Sequence, residues 1–135
     1  MDSQKSVLIL DPSTFFRQTL KEVIQTCEPS VDVSESNSAD RLKERLLLNP
    51  PDVVFLDIVS PSDYGIQLIE EVKAVSPDTR VVVLTTHDSP EHKRAALVKG
   101  ADFFLSKISS GGLRLLKVID LAIHQPPPAP PQGSE

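Results

Sequence analysis

Only one cysteine, Cys27, stands in the 135-residue chain, so no internal disulfide can form. No histidine or acidic cluster at metal-ligand spacing surrounds it, and a small, partly buried apolar residue is expected there. That usage fits a reducing, cytoplasmic compartment. Long apolar runs are missing as well. Ser6-Val7-Leu8-Ile9-Leu10 meets Asp11 at once, too short for a signal peptide, and nothing approaches the length that spans a bilayer. There is no basic cluster either. Lys and Arg number 14 against 19 Asp and Glu, a net charge of -5, and the cations are scattered singly along helical segments as on a solvated face. This weighs against a nucleic-acid surface, which needs clustered cations. No internal repeat of fixed period is present.

What the chain does have is alternation of two kinds of segment, in a length that suits one domain. Val7 to Leu10, Val53 to Leu56, Val81 to Leu84 and Phe103 to Leu105 are unbroken apolar runs, as in strands buried on both faces of a parallel sheet. Val31 to Val33, with Asp32 between, alternates and suits an edge strand. The first helix starts at Ser13 or Thr14, carries Phe16, Leu20, Val23, Ile24 and Cys27 on one face, and stops at Pro29. The second runs from about Ala39 to Leu48, before Asn49-Pro50-Pro51. A third, Ile66 to Val75, presents Ile66, Ile69 and Val72. The fourth is announced by Asp88-Ser89-Pro90-Glu91 and closes at Gly100. The last, Leu113 to His124, carries Leu115, Leu116, Ile119 and Ile123. Strand–helix alternation with right-handed crossovers gives an α/β fold, a doubly wound parallel sheet with helices on both faces.

The end of the chain is different. Gln125 to Glu135 holds five prolines, which fix φ and lack amide donors, so extended polyproline II or a disordered linker is expected there. A domain over 1–124 followed by a linker over 125–135 results.

The chemistry lies in what ends each buried strand. Asp11 follows the first run, Asp57 the second and Thr85 the third, and Lys107 comes two residues after Leu105. Parallel strands place their carboxyl ends along one edge, where ligands bind. Singly, each residue is explained as a turn former, helix cap, strand end or solvated side chain. Together they converge. Two carboxylates suit Mg²⁺, a hard cation. Asp57 beside such an ion would stay ionised and attack a phosphoryl group. Lys107 would offset charge on the phosphoryl oxygens, and Thr85 would hydrogen-bond one of them.

From Ser6 to His124 the chain resembles the response-regulator receiver family. The resemblance is carried by Val7-Leu8-Ile9-Leu10-Asp11, by Asp52 to Asp57 with Pro61 and Gly65, by Val81-Val82-Val83-Leu84-Thr85, and by Gly100 to Lys107. It implies a flavodoxin-like five-stranded sheet of order 2-1-3-4-5. It further implies a phosphoacceptor at Asp57 and Mg²⁺ held by Asp11, Asp57 and the backbone carbonyl of Val59. Thr85 and the aromatic Phe104 would form the switch. The donor would be a histidine kinase or phosphotransfer protein, and the only catalysis would be of the domain's own phosphorylation and dephosphorylation. An output domain beyond residue 125, a separate protein partner, and a homodimer through the fourth helix, fifth strand and fifth helix all stay open.

Departures from the family pattern set up a second reading. Leu10 stands where the family has an acid, which should weaken Mg²⁺ binding. Thr86 is larger than usual beside the hydroxyl position, and Ile108 replaces a proline after Lys107. His87, two residues past Thr85, is placed to modulate phosphate loss or is simply a surface loop residue. His92 and His124 are expected at exposed helix positions. The alternative is a degenerate receiver that works as a phosphorylation-independent interaction module. A flavodoxin-like nucleotide or flavin carrier would share the sheet but would need a phosphate-cradling Gly- or Thr-rich first loop, which this chain lacks.

Overall fold

The computed structural model describes residues 4–58 and 64–125. Five strands alternate with five helices: β1 (Ser6–Leu10), α1 (Thr14–Cys27), β2 (Asp32–Ser36), α2 (Leu42–Leu48), β3 (Val53–Leu56), α3 (Tyr64–Val75), β4 (Arg80–Thr85), α4 (Pro90–Val98), β5 (Phe103–Ser106) and α5 (Gly112–His124). All neighbouring strands pair in parallel, in the order β2-β1-β3-β4-β5. Strand order and helix placement are those expected.

The two-residue period of each strand divides the core in two. Val7, Ile9, Val53, Phe55, Val82, Leu84 and Leu105 meet α1 and α5 through Leu20, Ile24, Val118, Ile119, Ala122 and Ile123. On the other face Leu8, Leu10, Val54, Leu56, Val81, Val83 and Phe104 meet α2, α3 and α4. Burial on both faces explains why these runs carry no polar alternation.

Helix ends follow their punctuation. Ser13 Oγ accepts the Phe16 N–H at 3.1 Å and Ser89 Oγ accepts the His92 N–H at 3.2 Å. At the end of α4, Gly100 adopts φ +115°. Its N–H donates to the Leu97 carbonyl and that of Ala101 to the Ala96 carbonyl, the pair of bonds of a Schellman stop. A Cβ at Gly100 would sit 3.0 Å from Lys73 Cγ. Gly100→Ala is expected to lower stability by about 1–2 kcal/mol, through the φ and the crowding, in urea unfolding. Wild-type stability there would remove that account.

Several expectations are corrected. The edge strand β2 runs over Asp32–Ser36, past the expected Val31 to Val33, because Ser34, Glu35 and Ser36 pair with β1 despite their polarity. The second helix begins at Leu42 and not Ala39, after a turn in which Ser38 Oγ accepts the Asp40 N–H at 3.0 Å. Cys27 is exposed, as the last residue of α1. Leu116 is 41% exposed, and Val118 and Ala122 complete the buried stripe of α5 in its place. His92 is half-buried: its Nδ1 lies 2.6 Å from Ser89 Oγ, and its buried Nε2 has no hydrogen-bond partner among the described residues. Arg17 and Arg80 are buried, unlike cations of a solvated face. The tail from 126 onward lies outside the described residues.

Candidate functional site

The carboxyl ends of β1, β3 and β5 deliver Asp11, Asp57 and Lys107 to one place. Lys107 Nζ lies 2.7 Å from Asp11 Oδ2 and 3.4 Å from Asp57 Oδ2. All three side chains are largely withdrawn from water, Asp11 most of all at 3% exposure. Two carboxylates facing one ammonium leave the site net negative, in surroundings where charge is weakly screened.

Each residue is fixed by its local chain. The Asp11 N–H donates to the Ser36 carbonyl at 3.2 Å, and Asp11 Oδ1 accepts the Ser13 N–H at 2.8 Å, so this aspartate also shapes the turn into α1. The Asp57 N–H donates to the Leu10 carbonyl at 3.2 Å, and that of Lys107 to the Thr85 carbonyl at 2.7 Å. Asp57 Oδ1 is buried and has no hydrogen-bond partner among the described residues. A buried carboxylate oxygen left open is costly unless something comes to it.

Thr85 stands at the same edge, fully buried, but its hydroxyl is occupied. It donates to the Ile58 carbonyl at 2.8 Å and accepts the His87 N–H at 3.0 Å. Phe104 is buried in the core between the sheet and α4. Thr86 and His87 are exposed, while Val59 lies outside the described residues. Direct side-chain contact therefore unites Asp11, Asp57 and Lys107, and Thr85 joins them through the backbone at Ile58 and Lys107.

Leu10 packs in the core with Leu42, Leu56 and Ile58. It also borders a cleft of about 340 Å³ whose walls include Asn37, Asp40, Asp57 and Gly65. Two residues of α1 that strand-end reasoning does not reach complete the site. The Phe16 ring lies 3.9 Å beneath Lys107 Nζ, in cation–π geometry, although its helical spacing marks it only as core. Arg17 Nη1 donates to the Asp11 carbonyl at 2.6 Å.

The donor set fits a divalent cation. Asp11 and Asp57 already share one cation, Lys107, and Asp57 Oδ1 remains available. A second grouping, Glu28, Asp120 and His124, forms at the C-terminal ends of α1 and α5, the opposite edge of the sheet from Asp57. There His124 Nε2 lies 2.8 Å from Glu28 Oε1. Among the described residues, no helix is long and apolar enough to cross a membrane.

Comparison with known proteins agrees with this geometry. The family model of the response regulator receiver domain matches residues 7–120. A chemotaxis protein CheY of Halobacterium salinarum is 30% identical over 105 residues, covering 76% of this chain and 84% of its own. A protein-glutamate methylesterase/protein-glutamine glutaminase of Halalkalibacterium halodurans is 33% identical over 134 residues, 96% of this chain, which spans only 38% of that relative. Among solved structures, a response regulator from Thermotoga maritima is similar at a TM-score of 0.77 and 21% identity, over 90% of this chain and 98% of its own. Another, from Burkholderia pseudomallei, contains a phosphorylated aspartic acid, a calcium ion and citrate; it has a TM-score of 0.73 at 23% identity and covers 90% of this chain and 68% of its own. At such identities these structures speak for the fold alone. The family model and the CheY relative, with the sheet order, place this chain in the response-regulator receiver family of two-component signalling.

Proposed function

We propose that this receiver accepts a phosphoryl group on Asp57 from the phosphohistidine of a histidine kinase or phosphotransfer protein, and that the modification changes which partner it binds. The observation that carries this is the open Asp57 Oδ1 beside Asp11 and Lys107. In the step, an Asp57 carboxylate oxygen forms the new bond to phosphorus. The phosphorus–nitrogen bond breaks, and its electron pair returns to the donor imidazole. Lys107 offsets charge on the transferred group, held toward it by the Phe16 ring. Asp11, Asp57 and the Val59 carbonyl would hold Mg²⁺, which when bound supplies further charge compensation for the phosphoryl oxygens.

Thr85 is the link to the switch. To reach a phosphoryl oxygen its hydroxyl must leave the Ile58 carbonyl, freeing the backbone that follows Asp57. Phosphate that interacts better with the rearranged state would shift the population toward it, with Phe104 repacking against α4. Thr86 and His87, exposed at the mouth, would modulate loss of the phosphate to water.

A specific observation favours the second reading, a phosphorylation-independent interaction module. Lys107 lies closer to Asp11 than to Asp57, and Leu10 supplies no acid, so a metal-free site is already partly neutralised. Intact-protein mass after incubation with a small phosphodonor, with and without Mg²⁺, separates the two. A single Mg²⁺-dependent phosphate adduct is expected. No adduct on folded protein, across a panel of donors, would favour the interaction module.

We place the domain at 1–124 and read 125–135 as a linker to an output domain or a free tail. The transcriptional regulatory protein DegU of Brevibacillus brevis, of which this chain covers 45%, is a longer relative that supports the first option. Arg80 Nη2 donates to the Gln125 carbonyl at 2.9 Å, so a truncation should begin at Pro126. That truncation is expected to leave the melting temperature within about 1–2 °C of the full chain, since a linker contributes no packing. A larger loss would show that the tail packs on the domain.

A further inference from the structure

Arg17 differs from Lys21, the other cation of α1. It is buried, and its fork is filled on three sides: Nη1 to the Asp11 carbonyl at 2.6 Å, Nε to Glu35 Oε1 at 2.8 Å, and Nη2 to Thr14 Oγ1 at 3.2 Å. Glu35 belongs to β2 and stands opposite Ile9 of β1. One guanidinium thus ties the edge strand, the first turn of α1 and the end of β1. A lysine could not satisfy three acceptors in this planar arrangement.

The consequence falls on Asp11. Its N–H is held by Ser36, its carbonyl by Arg17, Oδ1 by Ser13 and Oδ2 by Lys107. Cation affinity at an oxygen site depends on ligand charge and on the rigidity of the ligands. Leu10 leaves this site short of charge, so rigidity has more to supply. Arg17 provides it without opposing a cation at the carboxylate, because it addresses the carbonyl and its charge is matched by Glu35.

We propose that Arg17 is a positioning residue, which holds Asp11 as a rigid ligand in a site that lacks the second acid at Leu10. This rests on the metal-assisted reading above. The test uses the full chain and Mn²⁺ alone, followed by water-proton relaxation, together with amide hydrogen exchange at Asp11 and Ser13. Arg17→Met is expected to weaken Mn²⁺ binding by about tenfold, the lower end of what the loss of a ligand-orienting partner costs. It should also speed exchange at the Asp11 and Ser13 amides while those of β4 and β5 keep their protection. Arg17→Lys, which retains the charge and loses the fork, should restore neither, and Glu35→Gln should give an intermediate loss.

Unchanged Mn²⁺ affinity in folded Arg17→Met, or full rescue by Arg17→Lys, would overturn the proposal. If the wild type binds no Mn²⁺, the metal-assisted reading fails on its own. Exchange at Asp11 then decides: faster exchange in the variants keeps Arg17 as the residue that holds Asp11, and unchanged exchange removes that role too. Should Arg17→Met not fold, the lysine and Glu35→Gln variants carry the same comparisons.

Discussion

Asp57→Ala is expected to abolish the phosphate adduct completely while leaving the domain at least as stable as the wild type. The first half follows from chemistry: Asp57 is the carboxylate with an oxygen open beside Lys107, whereas both oxygens of Asp11 are engaged by Ser13 and Lys107. The second half follows from what the wild type tolerates. Among the described residues Asp57 keeps one buried oxygen without a partner, and an unsatisfied buried acceptor costs about 1–3 kcal/mol. Its ion pair with Lys107 is the longer of the two, and Lys107 would stay paired with Asp11 at 2.7 Å after the substitution. Relief of the unpaired oxygen therefore offsets lost packing, and urea unfolding should show a change of about +1 kcal/mol in the absence of Mg²⁺. Retained labelling would sink the assignment of the site. A marked loss of stability would mean that Asp57 is part of the structural framework.

Both halves draw on features that differ in how far the sequence reveals them. Strand ends were legible because the buried runs are unbroken and β-branched, and a parallel sheet leaves little choice about where their carboxyl ends gather. That logic reaches Asp11, Asp57, Thr85 and Lys107 with no knowledge of contacts. Helix boundaries were legible where capping chemistry is local, as at Ser13, Ser89 and Gly100. The edge strand was harder, since a strand with one open side can carry Ser34, Glu35 and Ser36, and its pairing with β1 leaves no mark in the periodicity. Helical spacing placed Cys27 and Leu116 on an apolar stripe, but both are exposed: Cys27 ends its helix, and the buried face of α5 runs through Val118, Ile119, Ala122 and Ile123.

The α1 contribution to the site was illegible for a related reason. Phe16 fits the apolar stripe of its helix and Arg17 fits a solvated face, so neither breaks a pattern. Only the packing of α1 against the ends of β1 and β2 turns one toward Lys107 and the other toward the Asp11 carbonyl and Glu35. The direction of the Thr85 hydroxyl is likewise a three-dimensional fact. Its bond to Ile58 ties Thr85 to the backbone after Asp57, which no strand-end rule contains.

Leu10→Asp brings these threads together, because the structure shows that restoring the missing acid has a cost. Leu10 is 6% exposed and packs against Leu56 and Leu42. Removing a buried leucine forfeits about 1.5–3 kcal/mol of burial, and a carboxylate must also be kept hydrated there. Hydration has a route, since Leu10 borders clefts of about 340 and 400 Å³, and the first of them also exposes Asp57. The variant is therefore expected to fold, with stability in the absence of Mg²⁺ lower by about 3 kcal/mol. Its Mg²⁺ affinity should rise at least about tenfold, because a third carboxylate adds ligand charge where the ion would sit. Binding to the folded state alone stabilises it by about 2.7 kcal/mol at a hundredfold excess over Kd, so saturating Mg²⁺ should return most of the loss. Urea unfolding with and without Mg²⁺, beside a direct titration, reads both effects. A destabilised variant whose Mg²⁺ affinity is unchanged would show that the cleft side of β1 is outside the ion's reach, and that Leu10 is core alone.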